Sequence, residues 1–298
     1  MRVIVLGSGA GGGFPQWNCL CPNCQMAWKG DARFKHRTQS SLAISSDGNR
    51  WLLLNASPDL RQQIIATPAL HPKGAARHSP IAGVFVTNGD VDHLTGLLTL
   101  REQQPFTIYG SRATLAQTQG GVFGVLNPDL VKRTPVALGE TVDPGLGFSI
   151  TAFAVPGKTP LYMEDANLVI GEETETTIAL DITSNGKRVV YAPGVAKITD
   201  ALVARVDGAD ALFFDGTTYT DDEMVKMGLS SKTAWRMGHV PMSGASGSVE
   251  GFKNARVGAK IFIHINNSNP VLCEDAPERG ELAQAGWRVG YDGMEIVL

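Results

Sequence analysis

The sequence predicts an α/β protein in which helices cover β-sheets. Short runs rich in Val, Ile, Leu and Phe recur along the chain, and stretches of helical character lie between them. No linker, low-complexity segment or repeat of 20–50 residues interrupts this pattern. We therefore expect a single domain over residues 1–298.

The strand predictions depend on the length and composition of the apolar runs. In the first half of the chain these runs are residues 2–6, 41–45, 51–54, 83–87 and 107–109. In the second half they are residues 148–155, 177–182, 188–192, 211–214, 260–265 and 294–297. The runs are short, as expected for strands of a sheet with covered faces.

The helix predictions depend on start signals and on apolar spacing. Residues 92–103, for example, are apolar at Leu94, Leu97, Leu98 and Leu100. The other predicted helices are residues 58–66, 111–118, 200–206, 221–227, 245–255 and 274–285. The polar segment 156–175 has no clean period, and we expect it to form a loop beside a functional site.

Composition excludes several classes of function. The chain has 26 basic and 29 acidic residues, and this net charge of −3 argues against binding to nucleic acid or to an anionic membrane. No segment approaches the roughly 18 apolar residues needed to span a bilayer. The first residues lack the basic start and longer apolar stretch of a signal peptide. We expect a cytoplasmic protein with reduced cysteines.

A glycine-rich segment follows the first predicted strand. Residues 7–12 fit the G-x-G-x-x-G pattern of dinucleotide-binding proteins. That mechanism requires a helix to begin at the third glycine, and Pro15 and the cysteines after it disfavour such a helix. We favour a turn that lets the backbone pass close to a site, and we assign no dinucleotide-binding residues.

Three cysteines lie within six residues, at Cys19, Cys21 and Cys24. Thiolates at this density suit tetrahedral Zn²⁺. Cys273 is the only other cysteine, and we expect it to be the fourth ligand of a structural zinc site, with His36 or a water as alternatives. Ordinary reduced thiols are the simpler alternative for the whole cluster.

A cluster of acidic residues and histidine follows the run 83–87. Asp90, Asp92 and His93 lie at the end of that predicted strand and the start of the next predicted helix, where polar groups can converge on a cleft. Carboxylate and imidazole together suit a divalent metal. The structural alternative is that Asp90 caps the helix, Asp92 complements its dipole and His93 is a buried histidine.

Two later histidines are further candidates. His264 lies in the run 260–265, near the end of a predicted strand, where a sheet would deliver it to a cleft. A histidine of this kind is more often satisfied by hydrogen bonds than by metal. His239 lies in a loop with Gly238 and Pro241, placed for contact with substrate or for proton transfer, although a solvated loop histidine is nearly as good an explanation.

The pattern Asn88-x-Asp90-x-Asp92-His93 resembles the H-x-H-x-D-H motif of the metallo-β-lactamase fold, with its first two histidines replaced. The segments GSGAGGGFPQWNCLCPNC, TNGDVDHLTGLLTLRE and FIHINNSNP closely resemble the pyrroloquinoline quinone (PQQ) biosynthesis protein B family. This resemblance covers nearly the whole chain. It implies an αββα four-layer sandwich of two mixed β-sheets, here with a cysteine-rich zinc loop near the N-terminus.

The resemblance also implies a ligand set. Relatives with this fold commonly hold two metals, but here the first site lacks its histidines, and residues 191–194 lack the usual bridging aspartate. The second site matches Asp92, His93 and His264, and two histidines with one carboxylate form the facial triad of non-heme Fe(II) oxygenases. Asp90 is either a fourth ligand of the iron or a group that orients an imidazole.

The activity that the resemblance implies is an iron- and O₂-dependent hydroxylation in PQQ biosynthesis. The substrate would be the tyrosine of a Glu-Tyr unit derived from a precursor peptide, and other PQQ biosynthesis proteins would be partners, with a homodimer left open. His239 is the candidate acid/base group, with Asp215 nearby. Arg101, Lys158 and Lys232 are candidates to pair with substrate carboxylates.

Two other functions remain open at this point. A mononuclear metal-dependent hydrolase would use Zn²⁺ at Asp92, His93 and His264 and would cleave an ester or amide. A carrier would bind finished PQQ tightly, assist its transport and show no turnover.

Overall fold

The computed structural model describes residues 1–165 and 168–298. Within these residues the strands form two mixed sheets of seven strands each. In both sheets an antiparallel part adjoins a parallel part. The parallel strands matter most for function, because polar residues at their carboxyl ends meet along one sheet edge.

The first sheet has the order β14-β1-β2-β3-β4-β5-β6. Its strands are β1 Arg2–Gly7, β2 Ser41–Ser45, β3 Trp51–Leu54, β4 Ile81–Phe85, β5 Phe106–Gly110, β6 Val131–Pro135 and β14 Glu295–Val297. Strands β3 to β6 pair in parallel, and the others pair antiparallel.

The second sheet has the order β13-β12-β11-β10-β9-β8-β7. Its strands are β7 Thr141–Val142, β8 Ser149–Gly157, β9 Glu172–Ser184, β10 Lys187–Ala192, β11 Ala211–Asp215, β12 Ala259–Ile263 and β13 Trp287–Val289. Strands β10 to β13 pair in parallel, and β7 to β10 pair antiparallel.

The helices are short. The α-helices are α1 Pro22–Trp28, α2 Leu60–Ala66, α3 Val91–Leu94, α4 Arg112–Ala116, α5 Asp200–Val206, α6 Glu223–Lys226, α7 Ala234–Met237, α8 Ser248–Gly251 and α9 Pro277–Gln284. The 3₁₀ segments are Pro68–Leu70, Thr95–Leu100, Gly121–Val125, Leu161–Met163 and Pro270–Leu272. No helix among the described residues is long and apolar enough to cross a membrane.

Three apolar clusters show how the layers stack. One cluster lies between the sheets and joins residues such as Phe85 of β4 to Tyr191 of β10 and Phe213 of β11. A second lies on the outer face of the first sheet and includes Leu60 of α2. A third lies on the outer face of the second sheet and includes Leu282 of α9. The order of layers is therefore helix, sheet, sheet, helix, as the predicted fold class requires.

The predicted helix over residues 92–103 differs from the structure. The α-helical part is only Val91–Leu94, and the chain continues as the 3₁₀ segment Thr95–Leu100. Gly96 explains the tighter winding, because its amide donates to the carbonyl of Ala56 at 2.9 Å and a Cβ there would lie 2.2 Å from the carbonyl oxygen of Ser57. The close approach of two backbones decides the local geometry, which leucine spacing alone does not reveal.

Several short elements were not predicted. Helix α1 begins at Pro22, a residue suited to the first turn of a helix. Helix α7 and strands β6, β7 and β13 are too short or too polar to give a periodic signal. The predicted loop over residues 156–175 is shorter in the structure, because β8 continues to Gly157 and β9 begins at Glu172. It includes the 3₁₀ segment Leu161–Met163, and its residues 166 and 167 lie outside the described residues.

Replacing Trp287 with alanine is expected to destabilise the fold by about 3–5 kcal/mol, the usual cost of removing a large buried aromatic side chain. Its ring stacks on Phe262 at a centroid distance of 4.0 Å and also contacts Phe214 and Phe252. Urea unfolding of the variant measures the loss. The matched control is Trp17→Ala, because Trp17 is 82% exposed and its loss is expected to change the free energy of unfolding by less than about 0.5 kcal/mol.

Candidate metal centre

The sheets bring the predicted histidines and aspartates to one edge of the molecule. Asp92 and His93 lie in α3, which follows β4 of the first sheet. Asp215 is the last residue of β11, and His264 directly follows β12. His264 has a φ of +56°, a conformation that non-glycine residues rarely adopt and that tends to cluster at functional sites.

Asp92, His93 and His264 form a compact group. Their ligand atoms lie within 4.8 Å of one another. Asp92 Oδ2 is 3.1 Å from Nε2 of His264 and 3.9 Å from Nε2 of His93. These are the separations at which three ligand atoms can share one ion.

Asn88 orients His93. Nδ1 of His93 lies 2.6 Å from Oδ1 of Asn88, an oxygen that can only accept, so the imidazole carries its proton on Nδ1. Nε2 is then a free lone pair facing the triad. Within the described chain this buried nitrogen has no hydrogen-bond partner, and a buried polar atom without a partner is costly unless an ion binds it.

Thr217 orients His264 through a short relay. The hydroxyl of Thr217 donates to Asp215 Oδ1 at 2.7 Å, so its oxygen accepts from Nδ1 of His264 at 2.8 Å. Nε2 of His264 is then also a lone pair, and it faces a carboxylate oxygen of Asp92. Two acceptors at 3.1 Å need a shared cation, either a proton or a metal ion. The donor set therefore fits a divalent metal, with both imidazoles held in place by partners outside the triad.

The electrostatics favour an ionised Asp92 and a neutral His93, whereas at His264 they favour the protonated imidazole. Burial by itself would raise the pKa of Asp92, but the charges of His93 and His264 outweigh it and hold this pKa below its usual value. Burial lowers the pKa of His93 and so favours the neutral imidazole that binds metals. For His264 burial acts in the same direction, but the hydrogen bond and charge of Asp92 raise its pKa overall.

Asp215 and His239 form a second group around His264. Both oxygens of the Asp215 carboxylate already accept hydrogen bonds. Oδ2 of Asp215 accepts from the amide of Val195 at 2.9 Å and from Nδ1 of His239 at 2.7 Å. Oδ1 accepts from the amide and the hydroxyl of Thr217. Burial opposes the charge of Asp215, yet the charge and hydrogen bond of His239 keep its pKa low. Asp215 therefore orients His239 and serves poorly as a metal ligand.

The carboxylate of Asp90 does not lie where a fourth ligand would be expected. Asp90 is not among the residues whose ligand atoms converge in the described chain. Its Oδ2 accepts instead from Nδ2 of Asn88 at 2.9 Å, and its amide donates to Oδ1 of Asn88 at 3.1 Å. Asp90 makes no side-chain cap to α3. The residue that orients an imidazole directly is Asn88, and Asp90 holds Asn88.

A cavity of about 350 Å³ opens over the triad. Asp92, His239 and His264 line it, together with Lys158 and Lys232, two of the predicted carboxylate-binding residues. Arg101, the third candidate, lies elsewhere on the surface, where it pairs with Glu102. The cavity is large enough for a substrate of dipeptide size beside the metal position.

The glycine-rich segment passes next to this cavity. The amide of Ala10 donates to the carbonyl of Ile265 at 2.8 Å, and a Cβ on Gly11 would lie 3.5 Å from Oδ2 of Asp92. The first helix begins only at Pro22, so the helix that a dinucleotide site requires does not follow the glycines. The segment is a turn that carries backbone close to the metal centre.

The three neighbouring cysteines form a separate buried group. The sulfur atoms of Cys19, Cys21 and Cys24 lie within 4.8 Å of one another. Nδ2 of Asn267 faces all three sulfurs, at 3.1, 3.8 and 3.4 Å in that order. A hydrogen bond from Cys21 is the main cause that lowers the pKa of Cys24, to about 5. The same hydrogen bond raises the pKa of Cys21, so the group favours one thiolate, on Cys24, and thiolate is the form that binds Zn²⁺.

Cys273 does not join this group, which corrects the predicted fourth ligand. Its thiol donates to Oδ1 of Asp275 at 2.9 Å, because the 3₁₀ segment Pro270–Leu272 directs it toward that side chain. His36, the alternative, is exposed. The side chain that lies against the three sulfurs is the amide of Asn267, four residues after the end of β12.

Sequence reasoning missed the residues that orient the ligands. Asn88 was read only as a replaced histidine, and Thr217 and Asn267 were not singled out. Their roles depend on contacts between distant segments, since Thr217 lies 47 residues from His264 and Asn267 lies 248 residues from Cys19. A partial signal was present, because Asn267 lies in the polar stretch Asn-Asn-Ser-Asn directly after the strand that delivers His264 and Ile265.

Comparisons with known proteins agree with the fold. A family model described as a beta-lactamase superfamily domain matches residues 50–265. The chain is 54% identical to coenzyme PQQ synthesis protein B of Methylorubrum extorquens over the full length of both, and 52% identical to that of Gluconobacter oxydans over 99% of this chain and 98% of the relative. These matches confirm the predicted fold class.

Solved structures give the same result. A Zn²⁺-bound PqqB from Methylobacterium extorquens is 55% identical and superposes with a TM-score of 0.99. The match covers 100% of both chains. A diphosphatase of the PhnP family is 20% identical, with a TM-score of 0.67 over 99% of this chain and 97% of that one, and it shares the fold alone.

Proposed function

Because this chain belongs to the family of coenzyme PQQ synthesis protein B, and so acts in PQQ biosynthesis, we propose that it is an iron-dependent hydroxylase. The proposed substrate is the tyrosine of a Glu-Tyr unit derived from a precursor peptide. O₂ is the oxidant: one of its oxygen atoms enters the ring, and an external two-electron donor reduces the other to water. Other PQQ biosynthesis proteins supply the substrate and take up the product.

One observation carries the proposal: the triad offers ligands for a single metal. Two imidazoles and one carboxylate are oriented toward one point, and such a triad leaves positions open for substrate and O₂. The neighbouring position, where relatives of this fold hold a second metal, contains the paired side chains of Asn88 and Asp90. Gly194 lies beside this position, since a Cβ on it would be 3.8 Å from His239 and 3.9 Å from Asn88, but glycine has no side chain that could bind a metal. A single redox metal fits this arrangement better than a two-metal hydrolase.

The residues of the chain supply orientation and proton transfer. Iron(II), when bound by Asp92, His93 and His264, supplies the chemistry with O₂ that ring hydroxylation requires. His239 donates from Nδ1 to Asp215, which leaves Nε2 as an acceptor beside the cavity for the phenolic proton of the substrate. Asp215 fixes this tautomer and, through Thr217, also holds His264.

Replacing His239 with glutamine is expected to lower kcat by roughly 10²–10⁴-fold, the usual contribution of a positioned acid or base. Iron content is expected to stay unchanged, because His239 is not a ligand in this assignment. Single-turnover kinetics and iron analysis measure the two quantities. If the variant loses iron as completely as it loses activity, His239 is a ligand and the assignment of the second group is wrong.

We further propose that Cys19, Cys21 and Cys24 bind a structural Zn²⁺. Asn267 completes the site through its amide oxygen, after a rotation of the amide that exchanges its oxygen and nitrogen. Zinc there would join the segment before α1 to the segment after β12. Because β12 also delivers His264, the zinc site would help to fix one ligand of the iron.

The test of the proposed reaction is direct. The protein is purified without oxygen, loaded with Fe(II), mixed with Glu-Tyr dipeptide and with ascorbate as the two-electron donor, and exposed to O₂. The product is analysed by mass spectrometry. A mass gain of one or more oxygen atoms, lost in a His93→Ala variant, supports the hydroxylase. Cleavage of an ester or amide only after Zn²⁺ loading would instead establish a hydrolase. Tight binding of PQQ with no turnover would establish a carrier.

A further inference from the structure

Three cationic side chains converge on one carboxylate beside the cavity. Nζ of Lys158 lies 2.9 Å from Oε1 of Glu164, and Nη2 of Arg236 lies 3.1 Å from Oε2. Nζ of Lys232 lies 3.8 Å from the same Oε2. The side chains of Glu164 and Lys158 are 12% and 13% exposed, so their pair is stronger than an ordinary pair on an open surface, whereas Lys232 and Arg236 are more exposed. We call Lys158, Lys232 and Arg236 the cationic trio.

Two members of the trio lie next to the metal centre, and the third, Arg236, joins them through its contact with Glu164. Lys158 and Lys232 line the same cavity as Asp92, His239 and His264. Lys158 directly follows β8, and its carbonyl accepts from the hydroxyl of Thr177 at 3.1 Å. Its side-chain stem lies against Gly238, where a Cβ would come within 2.8 Å of Lys158 Cγ. Because His239 directly follows Gly238, the ammonium group of Lys158 is held at a fixed place relative to His239.

The charges of this cluster do not balance. The trio carries three positive charges and Glu164 carries one negative charge, so two positive charges remain among these four groups. Burial by itself would raise the pKa of Glu164, but hydrogen bonds from Lys158 and Arg236 lower it to about 2. In the described part of the chain, Nη1 of Arg236 is buried without a hydrogen-bond partner. The cluster can therefore accept further acidic groups.

We propose that the cationic trio is the subsite that binds the carboxylates of the substrate, and that Glu164 occupies it until a substrate carboxylate replaces it. This inference rests on the proposed function, and it deepens it by naming the residues that select an acidic substrate. Glu-Tyr carries two carboxylates, and binding one of them beside Lys158 would direct the attached ring toward the metal centre. The side chain of Glu164 is the internal equivalent of that ligand.

The test measures binding in the metal-loaded protein without O₂, so that no turnover occurs. Calorimetry compares Glu-Tyr with Gln-Tyr amide, which has the same shape and no carboxylate. Lys232→Gln and Arg236→Gln are each expected to weaken binding of Glu-Tyr by about tenfold and to leave the amide unaffected, since each removes one charged hydrogen-bond partner. Glu164→Gln is expected to tighten binding of Glu-Tyr several-fold, because it removes the competing carboxylate.

Two controls exclude general effects of charge. Lys226→Gln and Glu250→Gln remove exposed members of the pairs with Asp222 and Lys253, and both are expected to bind Glu-Tyr like the wild-type protein. Equal affinity of the wild-type protein for Glu-Tyr and the amide overturns the subsite. So does weaker binding after Glu164→Gln, which would mean that the cluster only holds the fold together.

The proposed subsite and the proposed hydroxylation can be disproved independently of each other. If the wild-type protein prefers Glu-Tyr, and both cation variants lose this preference, the subsite stands even when no oxygen enters the product. In that case the proposed hydroxylation is wrong. If oxygen enters the product and the two cation variants bind like the wild-type protein, the proposed function stands and the subsite is wrong.

Discussion

Replacing His93 with alanine is expected to remove iron from the triad and to abolish hydroxylation. In the proposed iron site His93 supplies one of three protein ligands, and its Nε2 has no hydrogen-bond partner in the described chain. Loss of residues that only orient a ligand typically costs 10–100-fold in metal affinity, so loss of the ligand itself is expected to cost at least about 100-fold. Iron content after desalting and the yield of oxygenated product measure the two effects.

The matched control for this variant is His36→Ala. His36 is exposed and lies outside the two histidine-containing groups, so its loss is expected to change neither iron content nor activity. The fold is expected to persist in both variants, because His93 contributes to the site more than to the apolar clusters. Full iron occupancy in folded His93→Ala would contradict the assignment of the triad.

Replacing Cys24 with serine is expected to release zinc and to lower the melting temperature by roughly 5 °C or more. Cys24 is buried, and its sulfur belongs to the group that faces Asn267. A structural zinc site contributes its binding free energy to folding, and each kcal/mol lost shifts the melting temperature of a domain of about 150–250 residues by roughly 2–4 °C. Zinc analysis and differential scanning calorimetry are the measurements.

Cys273→Ser is the control that separates the two versions of the zinc site. The thiol of Cys273 contacts Asp275 and not the other sulfurs, so the variant is expected to keep its zinc and its melting temperature. Loss of zinc from Cys273→Ser, to the extent seen with Cys24→Ser, would restore the four-cysteine site that the sequence predicts.

Most of the sheet could be predicted because its strands are short apolar runs. The runs at residues 41–45 and 51–54 coincide with β2 and β3, and that at residues 211–214 ends one residue before β11 does. Strand β6 was missed because four of its five residues, Lys132–Pro135, do not form an apolar run, and all four are exposed or half-buried. Apolar periodicity detects buried faces, so exposed edge strands give little signal.

The metal ligands could be predicted only where the pattern was local or matched a known motif. Asp92 and His93 are adjacent in sequence, and His264 was a candidate from its place near a strand end that only the resemblance assigned as a ligand. The orienting roles of Asn88 and Thr217 depend on side-chain geometry, which a single sequence does not contain. Counting cysteines suggested Cys273, because counting ignores amides such as Asn267 that can take the same position.

We expect one metal to bind at Asp92, His93 and His264. Anomalous X-ray scattering at the iron edge, from crystals soaked with Fe(II) without oxygen, locates that metal. The expected result is one iron peak in contact with those three side chains. A peak among Asp215, His239 and His264, or two peaks in the cavity, would contradict it, because either result would place a metal where this structure has a saturated carboxylate or the pair of Asn88 and Asp90.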